Sequence, residues 1–332
     1  MKILSTVFFV LLTLGFNIKT APQTKEVDSF YATSYVVLNR DDGKILEGKD
    51  IHLVRSVASI SKIMTCILAL ESGKIFDVVT APPEATKQVG SSIYLKDGEQ
   101  LSLLDLCYGL MLRSGNDAAY TIAIYVGGDM ESFVAAMNRK AEAIGMKHST
   151  FTNPSGLDID ETGNLSTAYD MAVLISYALT NELFSKIVGT LNYSCQYTVN
   201  WVNKNKLLRS YEPLDGGKTG YTYKAKRTLV TGATKDGLRL AVCTLNCGSD
   251  FAFHRFLYEK YFSTYAYVEF LHPGKNYIDQ YLVESKKRYG VLLVKSQYHD
   301  GIKLYRFSPE GELLSMFYVT AAGDYLKVEG YE

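Results

Sequence analysis

The 332-residue sequence predicts an α+β fold, in which strands at both ends of a helical region share one sheet. First, "SYVVLNRDDGKILEGKD" is typical of two strands joined by a turn at Asp42-Gly43. Second, apolar residues recur at helical spacing from "SVASISKIMT" to "TAYDMAVLISYALT". Third, the period changes to two after about Arg227, where "RTLVTGAT" and "LRLAVCTLN" predict a second hairpin.

The helices can be placed in order from their start and stop signals. A helix that carries "SISKIMT" is predicted to end at Gly73. Ser102, with Asp105 three residues later, forms a capping-box pattern before "LLDLCYGLML". Gly115 interrupts that segment, and "NDAAYTIAIYV" resumes as a helix. Further helices are predicted for "MESFVAAMNRKAEAIG", "TAYDMAVLISYALT" and "FHRFLYEKYFSTY".

A small all-β module is predicted at the end of the chain. After about Tyr267, the segments "RYGVLLVKSQ", "GIKLYRFS", "ELLSMFYVT" and "DYLKVEGYE" are separated by Asp300-Gly301, Pro309-Glu310-Gly311 and Gly323-Asp324. We therefore divide the chain into an N-terminal segment at 1–21, a main domain at 28–265 and a C-terminal module at 266–332.

Composition and the N-terminus limit the possible classes of function. The 35 Lys and Arg residues balance the 35 Asp and Glu residues, which argues against a general nucleic-acid-binding surface. Lys2 and the apolar run "ILSTVFFVLLTLGF" are typical of a signal peptide and are short for a membrane span. We expect export. Whether the segment is cleaved or kept as a membrane anchor stays open.

The cysteines and histidines predict neither a disulfide framework nor a metal site. The chain has five cysteines at irregular spacing, two of them, Cys66 and Cys107, within apolar helical patterns. Cys243 and Cys247 lack a histidine pattern that would suggest metal binding, and strand packing explains them better. The five histidines show no catalytic pattern. No cofactor is predicted.

Ser59 and Lys62 form the first candidate catalytic motif, Ser-x-x-Lys. At positions i and i+3 of a helix the two side chains lie on one face, so lysine can act as the base that a serine nucleophile needs. Burial in the apolar helix would lower the lysine pKa and so favour that role. A solvated lysine near a helix start is the simpler alternative.

The second motif is Ser114-Gly115-Asn116, at the predicted break between two helices. A left-handed backbone at Gly115 would let the hydroxyl and the amide project together into a cleft. A helix C-cap followed by an N-cap is the alternative explanation.

The third motif is Lys218-Thr219-Gly220 in "DGGKTGYT". A P-loop is excluded because Glu212 stands where that motif needs glycine, and because a strand rather than a helix follows. A cation and a hydroxyl beside a strand suit the binding of a carboxylate. Gly220 allows a substrate backbone to approach closely.

Together the three motifs form the set found in penicillin-binding proteins and class A β-lactamases. Over about residues 28–265 the chain resembles the low-molecular-mass penicillin-binding proteins, specifically the serine-type D-alanyl-D-alanine carboxypeptidases. Flanking stretches such as "GSSIYLKDGEQ", "HSTFTNPSGLD" and "NKNKLL" carry the same resemblance. It implies a β-lactamase/penicillin-binding-protein-like transpeptidase domain, a helical cluster plus an antiparallel sheet.

The resemblance also implies a reaction at the cell envelope, outside the cytoplasm. Its substrate would be the terminal D-alanyl-D-alanine bond of a peptidoglycan stem peptide, and β-lactams would be covalent inhibitors. The implied roles are nucleophile for Ser59, general base for Lys62, proton relay for Ser114, amide binding for Asn116, proton transfer and electrostatics for Lys218, substrate binding for Thr219 and Gly220, and a backbone oxyanion hole at Ser59 and Tyr221. The strand after Lys-Thr-Gly would pair with the extended peptide.

Departures from the family pattern leave two alternatives open. Lys226 stands where relatives commonly carry glycine, Gly217 replaces a branched apolar residue, and Ser249 and Asp250 occupy the region of a frequent arginine. A catalytically lapsed peptidoglycan-binding or regulatory module is therefore one alternative. A β-lactamase is the other, but it needs a deacylating carboxylate, for which Glu161 is a poor match.

Overall fold

The structure of the protein is a computed structural model that describes residues 30–158, 163–195, 200–297 and 301–331. The predicted signal peptide or anchor at 1–21 lies outside the described residues, as does Glu161. The α-helices are α1 (Lys62–Glu71), α2 (Leu103–Tyr108), α3 (Asn116–Gly127), α4 (Met130–Ala143), α5 (Ala168–Ala178), α6 (Glu182–Gly189) and α7 (Asp250–Thr264). The strands up to α7 are β1 (Ser34–Asn39), β2 (Ile45–Lys49), β3 (Arg55–Ser56), β4 (Val78–Thr80), β5 (Gln100–Ser102), β6 (Leu165–Ser166), β7 (Asn192–Ser194), β8 (Asn200–Val202), β9 (Leu214–Thr222), β10 (Lys226–Lys235) and β11 (Leu238–Leu245).

A five-stranded antiparallel sheet unites the two predicted hairpins, in the order β2-β1-β11-β10-β9. Strand β1 pairs with β11 so that Val37 lies opposite Val242. The prediction that strands from both ends of the main domain share one sheet is therefore confirmed. Strand β9 has one neighbour in this sheet and forms its edge.

Helices cover both faces of this sheet. Thr231 of β10 hydrogen-bonds to His254 of α7, with 2.8 Å between Oγ1 and Nδ1. The next residue, Gly232, faces Leu179 at the end of α5. Because successive residues of a strand face opposite sides, α7 and α5 cover opposite faces. Helix α1 lies within the helical cluster, in contact with α3, α4, α5 and α6, and most of its side chains are buried.

Local signals explain where the helices begin and end. Asp105 donates its backbone N–H to Ser102 Oγ at 3.0 Å, which confirms the predicted cap of α2. The predicted segment continues past α2 as a π-helical turn at Gly109–Arg113. Helix α6 was not predicted, although Asn181 caps it by accepting N–H groups from Leu183 and Phe184, each at 3.0 Å.

The C-terminal region is strand-rich, as predicted, and has a hydrophobic cluster of its own that includes Leu271, Leu293 and Met316. Its strands are β12 (Tyr265–Leu271), β13 (Gly274–Ile278), β14 (Tyr281–Ser285), β15 (Tyr289–Val294), β16 (Ile302–Phe307), β17 (Leu313–Val319) and β18 (Tyr325–Lys327). The sequence patterns did not reveal β12, β13 and β14. The boundary between residues 265 and 266 stays a prediction.

All five cysteines are buried, as expected for small apolar side chains. Cys243 lies in β11 and Cys247 shortly after it.

In the part of the chain that the structure describes, no single helix is long and apolar enough to cross a bilayer. Helices α5 and α6 together have the length and composition of a membrane span, but a bend of 110° separates them.

The pairing of β9 with β10 requires glycine at 217, one of the positions where the sequence departs from the family pattern. Its φ is +155°, and an added Cβ would lie 2.7 Å from Thr231 Cα on the paired strand β10. We expect Gly217→Ala to lower the free energy of unfolding by about 2 kcal/mol, because any side chain must displace that strand. Chemical denaturation would measure the loss. Gly248→Ala is the matched control, since nothing lies within 4 Å of its added Cβ; equal stability of the two variants would contradict the assignment.

Candidate active site

Ser59 and Lys62 lie side by side at the start of the central helix. Ser59 belongs to a 3₁₀ turn, Ala58–Ser61, and Lys62 is the first residue of α1. In 3₁₀ geometry the residues at i and i+3 are eclipsed, which brings their side chains closer than an α-helix would. Lys62 Nζ lies 3.0 Å from Ser59 Oγ, within hydrogen-bond distance.

Lys62 is fully buried and is fixed by acceptors from two other segments. Its Nζ donates to Asn116 Oδ1 at 2.7 Å and also to the backbone oxygen of Ser155. Burial lowers the pKa of Lys62 well below its ordinary value, and the nearby charge of Lys218 lowers it further. The arrangement therefore favours a neutral amine beside the Ser59 hydroxyl.

The backbone that holds Ser59 is strained. Ala58, the residue before it, has a φ of +51°, a left-handed conformation that costs a residue with a Cβ about 1–2 kcal/mol. Thr228 Oγ1 donates to the backbone oxygen of Val57 at 3.0 Å and so ties this turn to β10. Such strain persists only where surrounding contacts impose it, and it is common at functional sites.

The left-handed residue of the second motif is Ser114, and the prediction that Gly115 would take this conformation is wrong. Ser114 has a φ of +66°, whereas Gly115 has a φ of −58°. Glycine is needed at 115 for close packing, because an added Cβ would lie 2.8 Å from Asp117 Oδ1 and 3.1 Å from Ile93 Cγ2. Ser114 ends the π-helical turn and lines the same cleft as Ser59.

Asn116 is engaged at both ends of its side-chain amide. Oδ1 accepts from Lys62, and Nδ2 donates to the backbone oxygen of Val89 at 2.6 Å. The residue is almost fully buried. In this structure the Asn116 amide thus orients the amine of Lys62 and supports the loop at 89–95.

Asp117 and Asp158 organise the walls of the site, and sequence reasoning did not identify either. Asp117 accepts backbone N–H groups from Ile93 and Leu95 at about 3 Å, which fixes one wall. Asp158 accepts from Ser56 Oγ at 2.7 Å and from Thr222 Oγ1, so it links the turn before Ser59 to the end of β9. Asp117 directly follows Asn116 of the second motif, and Asp158 ends the flanking stretch "HSTFTNPSGLD", so closeness to these stretches was the only sequence signal for either residue.

Lys218, Thr219 and Gly220 lie within the edge strand β9. Lys218 is buried and its Nζ donates to the backbone oxygen of Thr219 at 2.6 Å. Burial, aided by the charge of Lys204, lowers the pKa of Lys218 to about 7. Gly220 allows close approach, because an added Cβ would lie 3.0 Å from the Ser59 backbone nitrogen.

The expectation that the strand after Lys-Thr-Gly pairs with a peptide is wrong. That strand, β10, already pairs with β9 on one side and β11 on the other, so its backbone groups are occupied. The motif's own strand, β9, has the free edge. An extended peptide would therefore add to β9.

One cleft has a cavity volume of about 330 Å³, and five residues of the predicted site line it: Ser59, Ser114, Thr219, Gly220 and Tyr221. The buried side chains of Lys62, Asn116 and Lys218 are not part of this lining. Sequence reasoning missed other residues of its lining: Ser91, Lys204, Lys206, Arg227 and Phe251. Within the described ranges, no cluster of three or more His, Cys, Asp or Glu residues could hold a metal ion.

The two departures at the rim have structural explanations. Lys226 has a φ of +59°, which explains why glycine suits this turn, and its Nζ lies 4.0 Å from the centre of the Tyr223 ring. Asp250 stands in the region where relatives often carry an arginine, and it accepts two hydrogen bonds from another arginine, Arg227 of β10.

Comparisons with known proteins agree with this geometry. A family-wide sequence profile described as D-alanyl-D-alanine carboxypeptidase matches residues 19–249. D-alanyl-D-alanine carboxypeptidase DacF of Bacillus subtilis is 37% identical over 252 residues, which cover 72% of this chain and 64% of DacF. The chain thus spans just under two thirds of that relative.

Solved structures extend the similarity to the fold. A D-alanyl-D-alanine carboxypeptidase from Mycobacterium tuberculosis is 30% identical with a TM-score of 0.65, covering 69% of this chain and 89% of that one. Penicillin-binding protein 6B from Escherichia coli is 26% identical with a TM-score of 0.73, covering 93% of this chain and 98% of that one. The predicted penicillin-binding-protein-like fold is confirmed. With the profile match over most of its length, the chain belongs to the D-alanyl-D-alanine carboxypeptidase family.

Proposed function

We propose that this protein is a serine-type D,D-carboxypeptidase, which hydrolyses the terminal D-alanyl-D-alanine bond of peptidoglycan stem peptides and converts pentapeptide to tetrapeptide. The observation that carries the proposal is the 3.0 Å hydrogen bond between Lys62 Nζ and Ser59 Oγ, made by a buried amine at an open cleft. A serine hydroxyl needs such a base to become a nucleophile near neutral pH.

Acylation begins when Ser59 Oγ attacks the carbonyl carbon of the penultimate D-alanine and passes its proton to Lys62 Nζ. The backbone N–H groups of Ser59 and Tyr221 stabilise the oxyanion that forms. The C–N bond then breaks, and the leaving amine of the terminal D-alanine receives the proton from Lys62 by way of the Ser114 hydroxyl. Free D-alanine leaves, and the peptide remains as an ester on Ser59.

Deacylation repeats these steps with water as the nucleophile. Water attacks the ester carbon and gives one proton to Lys62, which returns it to Ser59 Oγ as the ester bond breaks. Lys218, close to Lys62, supplies positive charge that keeps the Lys62 amine neutral and favours the oxyanion. Asn116 holds the Lys62 amine in line through its Oδ1, and Thr219 binds substrate from β9.

The proposed substrate implies a location and partners. Peptidoglycan lies outside the cytoplasm, so the enzyme is exported, with residues 1–21 as a signal peptide or a membrane anchor. β-Lactams resemble the D-alanyl-D-alanine terminus and would acylate Ser59.

Release of D-alanine from a stem pentapeptide by the purified chain lacking residues 1–21 is the experiment that tests this proposal. We expect stoichiometric D-alanine and tetrapeptide, together with a long-lived adduct with a fluorescent penicillin. Absence of D-alanine release with retained penicillin binding would instead indicate a lapsed binding module. Rapid turnover of nitrocefin without a stable adduct would indicate a β-lactamase.

A further inference from the structure

The cleft contains more positive charge than the three motifs provide. Lys204, Lys206 and Arg227 all line it, in addition to the buried Lys218. Two of these cations are committed to neighbours, since Lys204 Nζ donates to Ser91 Oγ at 3.1 Å and Lys218 Nζ donates to Thr219 O at 2.6 Å. Lys206 is an exposed lysine, whose flexible stem makes it poorly preorganised for a specific ligand. Arg227 is the remaining cation of the cleft lining.

Asp250 fixes the guanidinium of Arg227, and the Nη1 group of Arg227 remains available as a hydrogen-bond donor. Its Nε donates to Asp250 Oδ2 at 3.1 Å, and its Nη2 donates to Asp250 Oδ1 at 2.6 Å. The guanidinium carbon lies 5.4 Å from the centre of the Phe251 ring. Among the described residues nothing accepts a hydrogen bond from Nη1, and 43% of the side chain is exposed. An arginine fixed in this way loses little entropy when it binds an anion.

The pairing of β9 with β10 brings Arg227 to the same side of the sheet as Thr219. Arg227 lies opposite Tyr221, and Leu229 lies opposite Thr219. Because paired residues face the same side and alternate residues along a strand do too, Arg227, Tyr221 and Thr219 share one face. Thr219 Oγ1 makes no hydrogen bond to any other described residue, so an available hydroxyl and an available guanidinium donor line one cleft beside the edge strand β9.

We infer that Arg227 is a specificity-determining residue, which binds the C-terminal carboxylate of the substrate together with the Thr219 hydroxyl. The inference rests on the proposed function. Arginine donors form charge-assisted hydrogen bonds with carboxylates, and Thr219 lies on the edge strand β9, to which an extended peptide would add. Asp250 acts as the positioning residue for Arg227. This chain thus supplies from β10 the cation that the segment Cys247–Phe251 lacks.

The test compares a diacylated L-lysyl-D-alanyl-D-alanine tripeptide with its C-terminal carboxamide. For Arg227→Gln, we expect the preference for the acid over the amide, measured as the ratio of kcat/KM values, to fall about 10- to 100-fold. We expect Arg227→Lys to lose part of this preference, because lysine cannot make the two bonds to Asp250. Lys235→Gln is the matched control, a loss of charge at the exposed far end of the same strand and outside the cleft lining, which should leave the ratio within about twofold of the parent's.

Folding and function are controlled separately. Asp250 is almost fully buried, so Arg227→Gln leaves a carboxylate without its cation, and thermal denaturation must show that the variant is folded at the assay temperature. The same comparison of acid with amide is made by NMR titration in a Ser59→Ala background, where no turnover occurs. An unchanged ratio in folded Arg227→Gln would overturn the inference while leaving the carboxypeptidase proposal intact. If the parent releases no D-alanine, the proposed function fails, and the titration still decides the role of Arg227.

Discussion

Ser59→Ala is expected to abolish both D-alanine release and covalent labelling by a fluorescent penicillin. Alanine has no hydroxyl, so residue 59 can neither form the acyl-ester nor give a proton to Lys62. We expect kcat to fall by at least about 10³-fold, as is usual when the nucleophile of a serine hydrolase is removed. Quantitative gel fluorescence and a D-alanine assay measure the two losses.

A matched change distinguishes loss of the nucleophile from general damage. Ser263 is an exposed serine of α7, whose hydroxyl donates to the backbone oxygen of Lys260 at 2.8 Å. Ser263→Ala should label and turn over like the parent. Labelling that persists in Ser59→Ala would show that another residue is acylated, and Ser114, the other motif hydroxyl in the cleft, would be examined first.

The parts of the fold that sequence predicts well are those fixed by local periodicity. The alternation around Val37 and Val242 defines strands that form neighbours in the sheet, and the Ser102 cap sets the start of α2. Helix α6 was missed because it is short, and β12 to β14 were missed because their apolar residues alternate only briefly. Tertiary packing stabilises such short elements more than their own sequence does.

The site was predictable only where its residues belong to a motif. Ser59 and Lys62 are three residues apart, so helical geometry alone brings them together. The backbone oxygen of Ser155 cannot be identified as an acceptor for Lys62 from sequence, because every residue carries such an oxygen. The positive φ of Ser114 was likewise not predictable, because serine has no local preference for a left-handed backbone.

Arg227 illustrates a further limit. The sequence shows that the usual arginine near Asp250 is missing, but it does not show that Arg227 of β10 binds Asp250. The register of β9 and β10 and the two bonds to Asp250 supply that information, and both depend on the folded sheet.

Lys62→Gln is expected to slow acylation by a β-lactam about 10²- to 10⁴-fold, the usual contribution of a general base. Glutamine can still hydrogen-bond to Ser59 but cannot accept its proton. In the parent, the acylation rate should rise with pH on the acid side, because only neutral Lys62 accepts a proton, and burial together with the charge of Lys218 puts its pKa well below the usual value. The residual rate of Lys62→Gln should lack this rise. Stopped-flow measurements across pH, with a chromogenic β-lactam, test both points.

Two residues could cause the rise of the acylation rate with pH, because burial also lowers the pKa of Lys218 to about 7. Lys218→Arg separates them, since arginine keeps its positive charge and does not titrate in this range. If Lys62 is the base, the rise persists in Lys218→Arg and moves to higher pH in Lys218→Gln, where a neighbouring positive charge that depresses the Lys62 pKa has been removed. If the rise instead disappears in Lys218→Arg and survives in Lys62→Gln, then Lys218 is the group whose deprotonation activates Ser59, and the assignment of Lys62 as the base is wrong.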